Sequence, residues 1–141
     1  MPLSGVKVVE VGLNLAGPLA GEILAGLGAD VIKVERPAGG DDARGWGPPF
    51  VQDASVIFQS MNRNKRSVTL DFKDPAAMAQ LHNLIAGSDI FIQNLRPGVA
   101  EELGLGPAAL LEANPRLIYC SIAAFGHQGP LRLKPGYEIL L

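Results

Sequence analysis

Glu35 and Arg36 stand side by side where the β-branched run Val31–Val34 gives way to Pro37 and a loop rich in Gly, Pro and Asp. In an open parallel sheet, ligands bind outside the carboxyl ends of the strands. A carboxylate there suits a ribose hydroxyl, and a guanidinium suits a phosphate, which it grips bidentately. The same two residues can instead form a solvated ion pair, and composition alone leaves both readings open. Asn94 and Arg96 follow a second apolar run and could hold a phosphate or an amide; a loop stabilised by its own side chains is the alternative. Asn62-Arg63-Asn64-Lys65-Arg66 could steer an anion, although a solvated turn is the simpler reading. Glu138, beside Tyr137 in an apolar setting, would have a raised pKa if desolvated; an acid in the first turn of a helix explains it equally well.

Other chemistries find less support. Gly12-Leu13-Asn14-Leu15-Ala16-Gly17-Pro18 lacks both G-x-G-x-x-G and G-K-[ST], so the backbone cradle for a pyrophosphate is missing. His82, His127 and Cys120 have no neighbours at metal-ligand spacing, so no metal site is expected. Nothing reads as a Ser/His/Asp set, and Cys120 falls within a strand expected to be buried, where thiols are inert. Trp46 is expected to anchor its loop on the core.

Elements of alternating type must position these groups. Val6–Val11 reads as a buried strand. Pro18 opens a helix whose Leu19, Ile23, Leu24 and Leu27 share one face, and Gly28 closes it. Val31–Val34 completes a βαβ unit with a right-handed crossover. Ala54–Met61 reads as a short helix and Ser67–Asp71 as a third strand. Asp74-Pro75 starts the next helix, as an acidic cap with proline at the first helical position, and Gly87 ends it. Asp89–Leu95 is the fourth strand. Val99–Asn114 is helical in two pieces broken at Gly104-Leu105-Gly106, and Leu117–Ile122 is the fifth strand. The expected fold is α/β: a Rossmann-like, doubly wound, mainly parallel sheet with helices on both faces.

The 141 residues are 48% hydrophobic and 18% charged, with 12 basic and 14 acidic side chains for a formal net charge of -2. That composition describes a globular domain and argues against nucleic acid as a partner. A single cysteine forbids an internal disulfide. No signal peptide opens the chain, and no apolar run reaches membrane-spanning length, so a cytoplasmic protein without membrane contact is expected. Tyr137–Leu141 looks like the opening of an apolar element, which leads us to expect the N-terminal portion of a longer subunit.

Six motifs occur in order: Leu15-Ala16-Gly17-Pro18, Leu27–Pro37, Gly40–Arg44, Asn62–Ser67, Asn94–Gly98 and Asn114–Tyr119. Together they resemble the family III CoA-transferases, a group that includes formyl-CoA transferase, carnitine CoA-transferase and α-methylacyl-CoA racemase. The resemblance implies that residues 1–141 are a Rossmann-like domain binding coenzyme A as a substrate, with no permanently bound cofactor, in a subunit that forms an interlocked homodimer. It implies CoA transfer from an acyl-CoA to a carboxylic acid through an aspartyl intermediate, with the nucleophilic aspartate beyond Leu141 and Glu138 as an auxiliary group at most.

By the same resemblance, Arg36 lies near the ribose phosphate of CoA, and Leu15 and Ala16 border the reacting end. Leu70, Asp71, Phe72 and Lys73, with Asn94, Leu95 and Arg96, line the nucleotide and pantetheine; Tyr137 and Glu138 approach the thioester. Formyl-CoA transferases have Gln-Ser at the position of Leu15-Ala16, which argues against a formyl substrate. Racemases have His-Asp at the position of Tyr137-Glu138, and tyrosine cannot exchange an α-proton at neutral pH; a transferase is therefore preferred. Racemase-like chemistry and a non-catalytic CoA- or nucleotide-binding module are the alternatives.

Overall fold

The computed structural model describes residues 1–136 of the chain. Five strands form one parallel sheet: β1 (Lys7–Val11), β2 (Asp30–Glu35), β5 (Arg66–Thr69), β6 (Ile90–Gln93) and β7 (Ile118–Ser121), in the order β5-β2-β1-β6-β7. A small antiparallel hairpin, β3 (Phe50–Val51) with β4 (Ala54–Ser55), sits between β2 and β5 in the chain. The helices are α1 (Ala16–Gly26), α2 (Val56–Met61), α3 (Pro75–Ala86), α4 (Val99–Glu102) and α5 (Pro107–Ala113), with a 3-10 turn over Asp42–Gly45.

The order places the reversal of winding between β1 and β6. The chain goes from β1 to β2 on one side and returns to β6 on the other. In such sheets the crevice beyond the strand ends at that reversal is the ligand position. The loops after β1 and β6 therefore face each other across it.

Strand alternation divides the core in two. Val9, Val11, Val34 and Phe91 point to the face covered by Ala77, Leu81 and Ile85 of α3 and Leu110 of α5. Val8, Val31 and Ile92 point to the face covered by α1 through Ala25 and Leu24. By the same alternation Glu10 follows Val8, and Lys33 and Glu35 follow Val31, on the α1 face. The parallel register sets Glu10 opposite Lys33. All three charged side chains are buried, with Glu10 and Lys33 at 0% and 1% exposure. The apolar layer on that face thus changes to a charged one toward the carboxyl ends.

Local signals explain most element boundaries. Asp74 caps α3 by accepting the Ala76 N–H at 2.9 Å, and Pro75 follows it. Gly28 closes α1 in the left-handed region at φ 101°, which a side chain would resist.

Four expectations are corrected. Helix α1 does not bury Leu19, Ile23 and Leu27, which are 43%, 52% and 42% exposed. It buries Gly17, Pro18, Gly21 and Ala25 instead. The reason is steric: a Cβ on Gly21 would stand 2.1 Å from Glu10 Oε2, so only a small-residue face can close over the charged layer. Trp46 is 42% exposed and does not anchor its loop; Ala43, Ala54 and Phe58 form a separate small core that does. Strand β7 is an edge strand, which leaves Ile118 61% exposed and Cys120 only partly buried. The third strand of the sheet ends at Thr69, and Asp71 lies outside it, its carboxylate accepting the Lys73 N–H at 2.9 Å.

Candidate functional site

A cleft of about 420 Å3 opens at the winding reversal, lined by Ala16, Asn94–Pro97, Ile122–Ala124, Arg132 and Lys134–Gly136. It brings together Ala16, Asn94, Leu95 and Arg96, which sequence reasoning had placed at the site. Arg96, Arg132 and Lys134 supply three cations, and no acidic residue lines it among the described residues. The surface suits an anionic ligand with an apolar stem.

The first turn is held from both sides. Asn94 receives the Leu13 N–H on Oδ1 at 2.8 Å and donates Nδ2 to the Leu13 carbonyl at 2.9 Å. Asp41 Oδ1 accepts the Asn14 N–H at 3.0 Å, and Lys33 Nζ donates to the Gly12 carbonyl at 2.7 Å. Two amides that could have cradled a pyrophosphate are therefore occupied by side chains. This is the structural counterpart of the missing glycine fingerprint. It also reassigns Asn94, whose carboxamide grips backbone instead of facing a ligand. Gly12 and Gly17 allow that grip, since a Cβ at either would stand 3.2 or 2.9 Å from Asn94 Oδ1. Asn14 itself adopts φ 64°, and its carboxamide oxygen is buried with no hydrogen-bond partner among the described residues.

Beneath the turn lies a cluster of four buried charges. Glu10 bridges two lysines, with Oε1 at 3.0 Å from Lys33 Nζ and Oε2 at 2.6 Å from Lys65 Nζ. Lys33 also meets Asp41 Oδ2 at 2.9 Å. Lys65 donates further to the Pro18 carbonyl at 2.7 Å and to Asn62 Oδ1 at 2.9 Å. The Lys65 ammonium has three acceptors, so its three protons are all engaged, whereas Lys33 hydrogen-bonds to Glu10 and the Gly12 carbonyl and meets Asp41 Oδ2 as an ion pair only. Burial pushes the Lys65 pKa down, opposed by the nearby Glu10 carboxylate. The expectation of a solvated basic turn is thus corrected for Lys65, whose side chain is 2% exposed. It holds for Arg63 and Arg66, which make exposed pairs with Glu22 and Asp30.

Glu35 does not face a ligand and does not pair with Arg36. It is 3% exposed, and its oxygens accept from Arg44 Nε and Nη2 at 2.7 Å each, Ser67 Oγ at 2.6 Å and the Asp41 N–H at 3.0 Å. Burial alone would raise its pKa; the hydrogen bonds from Arg44, Ser67 and Asp41 outweigh that and hold it at about 2. Glu35 is thus the structural anchor of the Pro37–Pro49 loop, and the solvated ion pair with Arg36 is corrected to a buried network with Arg44 and Ser67. Arg36 instead pairs with Asp42 at the surface, both side chains 51% exposed. Such a pair holds little energy.

Arg36, Leu15, Leu70, Asp71, Phe72 and Lys73 do not line the cleft. Leu15 is partly buried in the turn beside it, and Leu70 is buried at 5% exposure in the core under α3, where Phe72 also packs. Asp71 and Lys73 are exposed. Tyr137 and Glu138 lie outside the described residues.

One contact escaped the sequence. Ser121 Oγ lies 3.0 Å from His127 Nε2, and buried Gln93 donates Nε2 to the same Oγ at 2.7 Å. Gln93 donates to this oxygen, and the His127 tautomer sets whether the serine gives its proton to Nε2 or accepts from it. The two residues are six apart on either side of a strand exit, so only the loop's return brings them together. Among the described residues no carboxylate touches His127, and no group of three His, Cys, Asp or Glu side chains is placed to hold a metal.

The parallel sheet, the cationic cleft at its reversal and a first turn whose amides are held by side chains define an α/β domain with a doubly wound topology. The sequence model for CoA-transferase family III matches residues 3–141, and the chain belongs to that family. It is 45% identical over 139 residues to succinyl-CoA:glutarate CoA-transferase of Mus musculus, covering 99% of this chain and 32% of that protein. It is 44% identical over 146 residues to succinate--glutarate CoA-transferase of Agrobacterium fabrum, covering 99% of this chain and 36% of that one. The crystal structure of a CAIB/BAIF family protein from Brucella suis superposes with a TM-score of 0.93 at 46% identity, over 99% of this chain and 38% of that one. The chain spans about a third of the length of the curated relatives it matches.

Proposed function

We propose that these residues form the CoA-binding part, residues 1–141, of an enzyme that moves CoA from an acyl-CoA donor to a carboxylic acid. The observation that carries the reading is the 45% identity to a CoA-transferase across 139 residues. The cationic cleft at the sheet reversal supports it. The relatives named above act on succinate and glutarate, so a short dicarboxylic acid is the proposed acceptor class.

In this reading a carboxylate nucleophile, the family aspartate beyond Leu141, attacks the thioester carbonyl and expels CoA thiolate, leaving a mixed anhydride. The thiolate then attacks the aspartyl carbonyl and releases the donor acid. The acceptor carboxylate attacks the aspartyl thioester, thiolate departs again, and its attack on the acceptor acyl carbon frees the aspartate. The part of this domain is to hold CoA through both departures, so the thiolate is retained. The reading includes a homodimer working in the cytoplasm.

The test uses the complete protein containing these residues, incubated with succinyl-CoA and glutarate, with glutaryl-CoA followed by mass spectrometry. Transfer is expected, and hydroxylamine should trap an aspartyl thioester. No transfer to any dicarboxylic or monocarboxylic acid of two to six carbons would refute the assignment.

Arg36 carries a second expectation. Arg36→Ala should weaken CoA binding about tenfold, or ~1.4 kcal/mol, with no change in melting temperature, because its pair with Asp42 is exposed. Titration calorimetry should also show that the variant no longer prefers CoA over dephospho-CoA, which lacks the ribose phosphate. Equal affinity of wild type and variant for CoA would remove Arg36 from the site.

A further inference from the structure

We infer that the buried Lys33–Asp41 pair is a positioning device for the turn at the cleft, and that its effect on turnover exceeds its effect on folding. The inference rests on the transferase reading for its kinetic arm and on geometry alone for its structural arm.

The geometry separates two jobs within the four-charge cluster. Glu10 and Lys65 join β1 to the Asn62–Lys65 turn and to the Pro18 carbonyl in α1. Lys33 and Asp41 reach instead to Gly12 and Asn14, the residues that carry the chain from β1 to Ala16. Lys33 takes the Gly12 carbonyl at 2.7 Å, and Asp41 takes the Asn14 N–H at 3.0 Å. From the opposite side Asn94 takes both the N–H and the carbonyl of Leu13. Three consecutive residues are thus gripped by side chains from β2, the loop after it and the exit of β6. Asn14 is held in the left-handed region with a buried oxygen that has no partner among the described residues. Non-glycine residues stay there only when their surroundings over-determine the backbone. Lys33 and Asp41 supply much of that constraint.

A merely stabilising role would be an uneconomical use of such a pair. Buried ion pairs are often replaceable by apolar residues at little cost in stability. What apolar residues cannot replace is a donor on the Gly12 carbonyl and an acceptor for the Asn14 N–H. The consequence falls on Ala16, which lines the cleft two residues further on.

The test is a graded pair of charge-neutral variants in the complete protein. Lys33→Met with Asp41→Asn removes the grip on Gly12 but keeps an acceptor for Asn14. Lys33→Met with Asp41→Leu removes both. Neither leaves a lone charge, since Glu10 and Lys65 still pair. The first should lower kcat about tenfold and the second about a hundredfold, with CoA affinity within threefold of wild type. Hydrogen exchange at the Leu13 and Asn14 amides should accelerate at least tenfold, while amides within β1 and β6 keep their protection.

Unchanged exchange at the turn in the Met/Leu variant would overturn the inference, whatever reaction the protein catalyses. So would kcat per folded molecule within twofold of wild type. Absence of turnover in the wild type would count against the transferase reading instead, and the exchange arm would still decide this one. If the Met/Leu variant does not fold, the Met/Asn variant decides on kcat alone, and a value within twofold of wild type overturns the inference.

Discussion

Glu10→Ala is expected to cost about 3–5 kcal/mol of stability, a large fraction of what holds a domain of this size together. Glu10 is the only carboxylate that touches both buried lysines among the described residues, at 3.0 Å from Lys33 and 2.6 Å from Lys65. Both ammoniums are almost fully enclosed, at 1% and 2% exposure. Without Glu10 the cluster carries one uncompensated positive charge on side chains almost closed to solvent, and an unpaired buried charge costs far more than an exposed one. Urea denaturation of the variant should show the loss directly.

A second variant separates charge from packing. Glu10→Leu combined with Lys65→Met removes one charge of each sign and leaves Lys33 facing Asp41, so it should recover at least half of the loss. A cost below about 1 kcal/mol for Glu10→Ala would mean that water reaches the cluster and that its buried character is wrong. Failure of the double variant to recover would place the cost in lost packing.

The other large effect concerns Glu35 and acid. Its carboxylate sits at about 2 instead of the ordinary 4.5, because burial, which would raise it, is outweighed by the hydrogen bonds from Arg44, Ser67 and the Asp41 N–H. The folded state therefore prefers the ionised form more strongly than the unfolded chain does. That preference contributes fully above about pH 4.5, declines as the pH falls toward 2, and is gone below the folded value. A shift of this size corresponds to about 3 kcal/mol. Glu35→Gln keeps the shape and removes the charge, so it should be about 3 kcal/mol less stable than wild type at pH 7.

The informative quantity is the difference between the two proteins, since other carboxylates titrate in both. Denaturation at a series of pH values should show that difference shrinking toward zero between pH 4.5 and 2. A difference that stays constant over that range would mean that Glu35 is not held ionised by its partners. Ordering of the Pro37–Pro49 loop should follow the same curve, because Asp41 and Arg44 reach the sheet through this carboxylate.

The pattern of elements was legible from residue types. β-branched runs, Asp74-Pro75, Gly28 and the Gly104–Gly106 break act within a few residues of themselves, so their physics is local. Strands alternating with helices were enough for the parallel sheet with helices on both faces. The absence of a glycine fingerprint was also readable, and the amides of Leu13 and Asn14 in that turn are held by side chains. Leu95, Arg96 and Ala16, which the resemblance put near CoA, line the cleft together.

What a side chain faces depends on partners far along the chain, and there the sequence was mute or misleading. Glu35 and Arg36 are neighbours in sequence, yet adjacent strand residues point to opposite sides. Glu35 was drawn inward to Arg44 and Ser67, and Arg36 was left at the surface with Asp42. Leu19, Ile23 and Leu27 have the spacing of a buried helical face, but the layer beneath α1 is charged and close, so its glycines had to turn inward. Lys65 sat in a stretch of polar residues that looks solvated, and it is one of the most enclosed cations because Glu10 lies 55 positions away in sequence. One signal was available: Glu10 and Lys33 interrupt buried strands at inward positions, where an unpaired charge is not tolerated. Read together, they already required each other; that Asp41 and Lys65 complete the set, and that the set grips the turn at the cleft, could be decided only by the packing of distant segments.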